Sequence, residues 1–534
     1  MPSMTGRRGS GRTKVEMDKK GSLLRTYGFV AAAIVLSKLL GLGRDVLLAY
    51  FYGTSYEAAA FTVAARIPTL FFDITLGTAV ASAFIPVFNE YIGKGKKERA
   101  FDFLSVFVGC AAVIAIIASA VLFFFSGTAV KLMASAVDGK TAALASALLK
   151  ILSPVVLIAV LAYIFAGLLQ SLGEFRVPSI MSLLCNGVVI AYYLTLNGRF
   201  GIYGLAAALL VGWLMQLAVL LPPMRKKGVR IRPRADFRDE GIKQAALLAL
   251  PVMISSWVQP INTIIASNVS SYLGDSAYVS LNYAYQIYFM AAGVFSLAMT
   301  NLLFPRMSRM FSGGRKKQGG ELLGSMLGMI TAIVAPVAVY FILMAGDIIS
   351  VIYERGAFSV DDSAAVGLAL MTYSFGMLGL SWQEVLNKFF YSAHDSKTPM
   401  YISICGIAAN LALSIMLMRR FGLAGIAAAS AAASTLMAAA LFAFSRRTGV
   451  EVGIGAVTAR AGKIVLCAAV SGAVLFFIRG LAPSAGAGLI ISLLKLAGLF
   501  AVQLLVYLAM LRVMLGRDER RDILSMFAKE EQVI

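Results

Sequence analysis

Apolar runs of about twenty residues or more, each long enough to cross the roughly 30 Å hydrocarbon core of a bilayer, recur along this whole chain with little between them. Fourteen can be marked, at 24–51, 57–92, 100–126, 143–172, 177–197, 202–222, 243–272, 277–310, 321–350, 362–392, 397–418, 422–445, 462–482 and 487–515. They read as transmembrane helices, so the expected fold class is all-α integral membrane. Composition agrees: 59% of the 534 residues are hydrophobic and 14% are charged, against about a quarter charged in a soluble domain. The cysteines Cys110, Cys185, Cys405 and Cys467 lie far apart inside apolar runs. No disulfide framework or metal cluster is expected from them.

Lysine and arginine set the orientation, because short loops rich in them stay cytoplasmic. Residues 1–22 are basic and precede a run too long for a signal-peptide core; they are expected as a disordered cytoplasmic tail. Basic residues also crowd the loop after the second run (Lys94, Lys96, Lys97, Arg99), the linker 225–242, the loop from Arg306 to Lys317, and the stretch from Arg446 to Lys463. The turns YGTSYE and YLGDSAY hold none. Both termini are therefore expected in the cytoplasm, with the chain in a bacterial-type inner membrane. The net charge of +21 lies in short loops between apolar runs, so nucleic acid is not an expected partner. For the linker, two readings stand: topology determination, or attraction of anionic lipid.

Segment 169–205 lines up with 390–426 at an offset of 221, placing Pro178 on Pro399, Phe200 on Phe421, Gly201 on Gly422 and Gly204 on Gly425. Pro86 falls on Pro305 at an offset of 219, with a basic loop after each. Spans one to six (23–224) and seven to twelve (243–446) thus read as copies. Six is even, so both enter the membrane in the same sense. That predicts two six-helix lobes related by a pseudo-twofold axis along the membrane normal, the plan of a transporter with a central site. Residues 447–515 add a further helix pair, followed by a cytoplasmic tail at 516–534.

Charges at membrane depth are costly and face a bundle interior or water. Here they are Lys38, Arg44, Asp45, Arg66, Asp73, Glu384, Lys388 and Lys495. The first two spans carry the positive excess. Lys38 and Asp45, seven apart, share a helix face, and the glycines of LLGLGRD permit a bend toward a cavity. One reading is a cationic wall that meets a diphosphate, arginine offering a planar fork and lysine a mobile charge. The other is structural, with Arg44 paired to Asp45 and Arg66 to Asp73. Glu384 and Lys388, four apart, are expected as an ion pair on one helix face. His394 has no second base or nucleophile arranged around it. No Walker loop, zinc spacing or serine elbow occurs, so no catalytic residue, metal or cofactor is expected. Energy would come from an ion gradient or the membrane potential, about 2.3 kcal/mol per charge per 100 mV.

SKLLGLGRD (37–45), FTVAARIP (61–68), ASAFIPVFNEY (81–91), INTIIAS (261–267), YERGAFSVDDS (353–363) and FYSAHDSKTP (390–399) together resemble the MurJ/MviN lipid II flippases of the multidrug/oligosaccharidyl-lipid/polysaccharide exporter superfamily. The resemblance implies fourteen spans, two lobes around a central cavity, a groove from the last two spans for an isoprenoid tail, and cell-wall synthesis enzymes as candidate partners. It also implies cavity cations at Lys38 and Arg44; Arg66, as partial compensation, Asp45 and Gln286 complete the expected substrate-binding set. The family pattern has an acid where this chain has Ala59 and arginines where it has Phe72 and Gln286, which makes the cavity less cationic than the pattern. The leading expectation is translocation of lipid-linked peptidoglycan precursor. A flippase for another undecaprenyl-diphosphate glycan is the nearest rival, ahead of a small-molecule exporter and a non-transporting scaffold.

Overall fold

The computed structural model describes residues 9–72, 80–393, 395–448, 450, 453–480, 488–516 and 519; Asp73, His394 and most of the 516–534 tail lie outside them. Every element among the described residues is helical, as a backbone without water to bond must be. Among the described residues seven helices are long and apolar enough to cross a membrane, or nine if each of two bent pairs is one span. The expected count of fourteen differs partly because one long helix takes in two of the expected runs, while runs 57–92 and 243–272 are each divided between shorter helices.

Two compact units form: residues 1–48, 60–132 and 139–260, and residues 49–59, 133–138 and 261–534. The first opens with α1 (Gly9–Tyr52), which takes in residues 9–22. That segment was expected to be disordered, but its Arg, Lys, Glu and Met residues are good helix formers. After α2 (Tyr56–Phe72), a π-helical turn at Val80–Phe84 leads into α3 (Ile85–Gly93), so the expected second span is not one helix. Next come α4 (Lys97–Phe124), α5 (Ser126–Met133), α6 (Gly139–Leu152) and α7 (Val155–Ser171). The α6–α7 pair bends by 43° beside Pro154, which has no N–H to continue a helix. An aromatic stack of Phe84, Phe88, Phe103 and Phe107 fills the contact of α3 with α4, with centroids 5.1 to 6.0 Å apart.

The hairpin of α8 (Arg176–Thr195) and α9 (Asn197–Lys226) turns through Gly201, whose φ of 53° and ψ of −147° lie where only glycine sits without strain. Tyr192 donates its hydroxyl to the Gly201 carbonyl at 2.6 Å. Beyond α9 the linker is clamped onto α4. The backbone N–H groups of Arg232 and Arg234 donate to Ser105 Oγ and O, each at 3.3 Å, and Arg234 pairs with Asp102 at 3.0 Å. Gly109 allows this contact, since a Cβ there would collide with the Arg234 backbone. Arg99 bridges Asp102 and Asp239, each at 2.8 Å. Asp239 also accepts from the N–H groups of Gly241 and Ile242, starting α10 (Glu240–Ser256), which α11 (Val258–Ser271) follows.

The second unit holds α12 (Asp275–Ser312), α13 (Lys316–Tyr353), α14 (Val360–Ser374), α15 (Met377–Ser392), α16 (Lys397–Phe444), α17 (Ile454–Arg479) and α18 (Leu489–Met514). Ser359 and Asp362 form a capping box at the start of α14, and α14 and α15 meet at a 48° bend. Helix α16 turns at Gly422, with φ 55° and ψ −129°, and so joins the two runs expected at 397–418 and 422–445. The turn between α1 and α2 packs into this unit: Ala357 N–H donates to the Tyr50 carbonyl at 2.8 Å, Tyr283 to the Gly53 carbonyl at 3.3 Å, and Thr54 to Asp362.

Pro336 in the middle of α13 leaves the Ala332 carbonyl, four residues back, without its helical donor. The Tyr507 hydroxyl of α18 supplies one at 2.8 Å, and Gln503 donates to the Pro336 carbonyl at 3.0 Å. Around these bonds Ala335, Ile464, Cys467, Ala468 and Tyr507 form a tight apolar cluster. Helices α17 and α18 are thereby docked on α13 through a flaw in its own hydrogen bonding.

Candidate substrate site on the first helix

Lys38 and Arg44 lie on α1, whose glycines Gly41 and Gly43 keep the intervening turn slim; Gly41 faces the Asn186 amide of α8. Arg44 donates from Nε and Nη2 to the same oxygen of Asp45, at 3.1 and 2.9 Å, and from Nη1 to Asn186 Oδ1 at 3.4 Å. Asn186 in turn donates to the Ser37 carbonyl at 3.2 Å. The Asp45 side chain is 10% exposed and that of Arg44 32%. The guanidinium is thus half-wrapped by its own carboxylate and held by an amide from another helix, with one side still open.

Lys38 is exposed and lines a cavity of about 360 Å³ between α1 and the α7–α8 corner. Ser37, Gln170, Ser179 and Ser182 share that lining with Phe175 and Pro178. A mobile ammonium among hydroxyls and an amide can hold an anionic group and donate to polar substituents beside it. The structural pairing expected for Arg44 is present, and Lys38 is the cation left facing open space.

The other sequence candidates are placed elsewhere. Arg66 is exposed on α2, where its carbonyl accepts from Thr69 at 2.8 Å, and its expected partner Asp73 lies outside the described residues. Gln286 is exposed on α12, in the second unit. Ala59 and Phe72 are buried, and Phe72 stacks on Tyr163 with centroids 4.8 Å apart, so packed apolar side chains stand where charges were absent. The expected ion pair of Glu384 with Lys388 is not among the salt bridges of the described residues. Lys388 sets its ammonium over the Phe304 ring, 5.9 Å from the centroid, while its charge still acts on Glu384.

Asn186 and Gln170 escaped the reading by charge, although an amide inside an apolar run is a usable signal. The second unit has a comparable network: Asn410 donates to Asn262 at 3.2 Å and accepts from Ser414 and Ser430 at 3.4 and 3.5 Å. Among the described residues no group of His, Cys, Asp or Glu side chains is arranged to hold a metal ion.

A duplicated helical chain with membrane-length helices and a cation-bearing cleft defines a multi-pass membrane protein of the transporter type. Comparison with known proteins makes this specific. The family described as "Lipid II flippase MurJ" matches residues 48–496, and the chain belongs to that family. Similar relatives include a probable lipid II flippase MurJ of Vibrio cholerae, 28% identical over 92% of this chain and 95% of its own length. A lipid II flippase MurJ of Burkholderia cenocepacia is 26% identical over 80% of this chain and 85% of its own. Among solved structures, the lipid II flippase MurJ in an inward closed conformation superposes with a TM-score of 0.76 at 23% identity, covering 91% of this chain and 98% of that one. An inward-facing MATE family transporter of the MOP superfamily reaches 0.67 at 15% identity, covering 77% and 94%. At those identities the two structures establish the shared fold.

Proposed function

We propose that this chain is a transporter that moves lipid II, the lipid-linked peptidoglycan precursor, from the cytoplasmic to the outer leaflet by alternating access, in support of cell-wall synthesis. The observation that carries this reading is the family match across residues 48–496. In this reading fourteen spans form two six-helix lobes about an axis along the membrane normal, in the inner membrane with both termini cytoplasmic. Lys38 engages the diphosphate, while Arg44, tethered by Asp45 and Asn186, forms a fixed positive wall. Arg66 and Gln286 contribute from α2 and α12. Helices α17 and α18 shelter the isoprenoid tail; α18 turns Leu494, Leu505 and Val513 outward, surface an alkyl chain can cover. The driving force is an ion gradient or the membrane potential, and no cofactor takes part.

A second reading, a flippase for another undecaprenyl-diphosphate oligosaccharide, is favoured by one observation: Ala59, Phe72 and Gln286 carry no charge. Depleting the protein and measuring which lipid-linked precursor accumulates on the cytoplasmic face decides between them. Accumulation of lipid II alone supports the first reading, accumulation of a different glycan the second, and accumulation of neither overturns both.

A further inference from the structure

The basic linker has a second face. Val229 and Ile231 line an apolar cavity of about 350 Å³, closed on its other sides by Val108 of α4, Phe165 of α7, and Leu221 and Arg225 of α9. Lining residues alternate along the linker, Val229, Ile231 and then Pro233, whereas the residues between them are arginines. These, Arg230 and Arg232, are exposed, as are Arg225 and Lys226; Arg234, beyond Pro233, is bound to Asp102, and Lys227 donates to the Leu172 carbonyl at 2.9 Å. No acidic residue occurs between Met224 and Ala235. An apolar slot with Arg225 in its lining, and with Lys226, Arg230 and Arg232 exposed close by in the chain, matches the two features that an anionic phospholipid presents, an alkyl chain and a phosphate.

We infer that this cavity is a binding site for an anionic phospholipid of the leaflet adjoining the linker, one acyl chain entering between α4, α7 and α9 and the headgroup phosphate resting on Arg225 with Arg230 or Arg232. Zwitterionic lipids of the same chain length fill the slot but gain little from the cations, so the site selects by charge. Clamping of the linker by Ser105, Asp102 and Gly109 holds its apolar residues over the cavity in advance of binding.

Native mass spectrometry of the full chain released from detergent, with equimolar phosphatidylglycerol and phosphatidylcholine of identical acyl chains, tests the site. The expected result is preferential retention of phosphatidylglycerol, falling roughly five-fold for each of Arg225→Gln, Arg230→Gln and Arg232→Gln. Filling the slot with Ala112→Trp should remove the retained lipid. Because tryptophan there also strains the packing of α4, Gly109→Ala provides a second arm: it keeps every charge, lifts the linker and should weaken retention likewise. Equal retention of the two lipids by the unaltered protein overturns the proposal. So does phosphatidylglycerol retention that survives both the three charge changes together and the linker change. Adduct formation involves no transport, so this result and the accumulation experiment above fail independently.

Discussion

Gly201 and Gly422, 221 residues apart, hold nearly the same backbone conformation, with φ 53° and 55° and ψ −147° and −129°. Gly53 and Gly274 (φ 54° and 92°) stand at the same separation, and Gly95 and Gly314 (φ 75° and 71°) at 219 residues. These are the offsets at which the sequence aligns with itself. The repeat is therefore written into the positions where the chain must turn left-handed, which side chains at neighbouring positions only partly conserve.

Replacing Gly201 or Gly422 with alanine should cost about 1–3 kcal/mol each, read as a drop in melting temperature in detergent. Gly198→Ala is the control, since it has an ordinary φ and open space around it. Equal melting temperatures for Gly422→Ala and Gly198→Ala would contradict the account of the kink.

Lys38→Ala should lower lipid II transport at least ten-fold with little change in stability, because the side chain faces open space; Lys38→Arg should retain most activity. Arg44→Ala should lower both transport and stability, since it strands Asp45 in a largely buried setting, a loss of about 1.5–3 kcal/mol for a charged hydrogen bond. Full transport in both alanine variants rules out the cationic wall.

Asp239 supplies a pH test. Burial pushes its carboxyl pKa up, but the hydrogen bond and charge of Arg99, together with the N–H groups of Gly241 and Ile242, outweigh that and hold it below the ordinary value. A depressed folded-state pKa stabilises the fold above the unfolded value of about 3.9, and that stabilisation is lost as pH falls through the lower folded value. The melting-temperature difference between wild type and Asp239→Asn should thus be flat above about pH 4 and shrink below it. A difference that instead grows with acid would refute the assignment.

Tyr507→Phe should cost about 0.6 kcal/mol and at most about 1.7, through the Ala332 carbonyl. In a Pro336→Ala background that carbonyl regains its helical donor, so the same substitution should cost less. A double-mutant cycle with no coupling between positions 336 and 507 would show that the bond does not fasten α18.

Much of this was legible in the sequence. Helical spans follow from the apolar runs, and the paired kinks from aligning the chain on itself. Lys38 and Arg44 follow from the rarity of charge at depth. What stayed hidden depends on partners distant in sequence. Asn186 reaches Arg44 across 142 positions, and no local pattern announces it. The i, i+4 spacing of Glu384 and Lys388 brings their charges near enough to act on each other, but the Phe304 ring that also meets the Lys388 ammonium lies on another helix. Pro154 signals the bend between α6 and α7, but the π-helical turn at Val80–Phe84 has no comparable marker.

The clamping of the linker bears on how motion passes along the chain. Ser105, Asp102 and Gly109 pin it from Arg232 to Arg234, and Asp239 ties its end to the first turn of α10, so the linker is part of the first unit's packing along its length. Compact packing of the first unit continues past the linker to Pro260, inside α11. Asp239 thus ties α10 to α4 through Arg99, and swinging α10 away would break the ion pairs that also hold the linker in place.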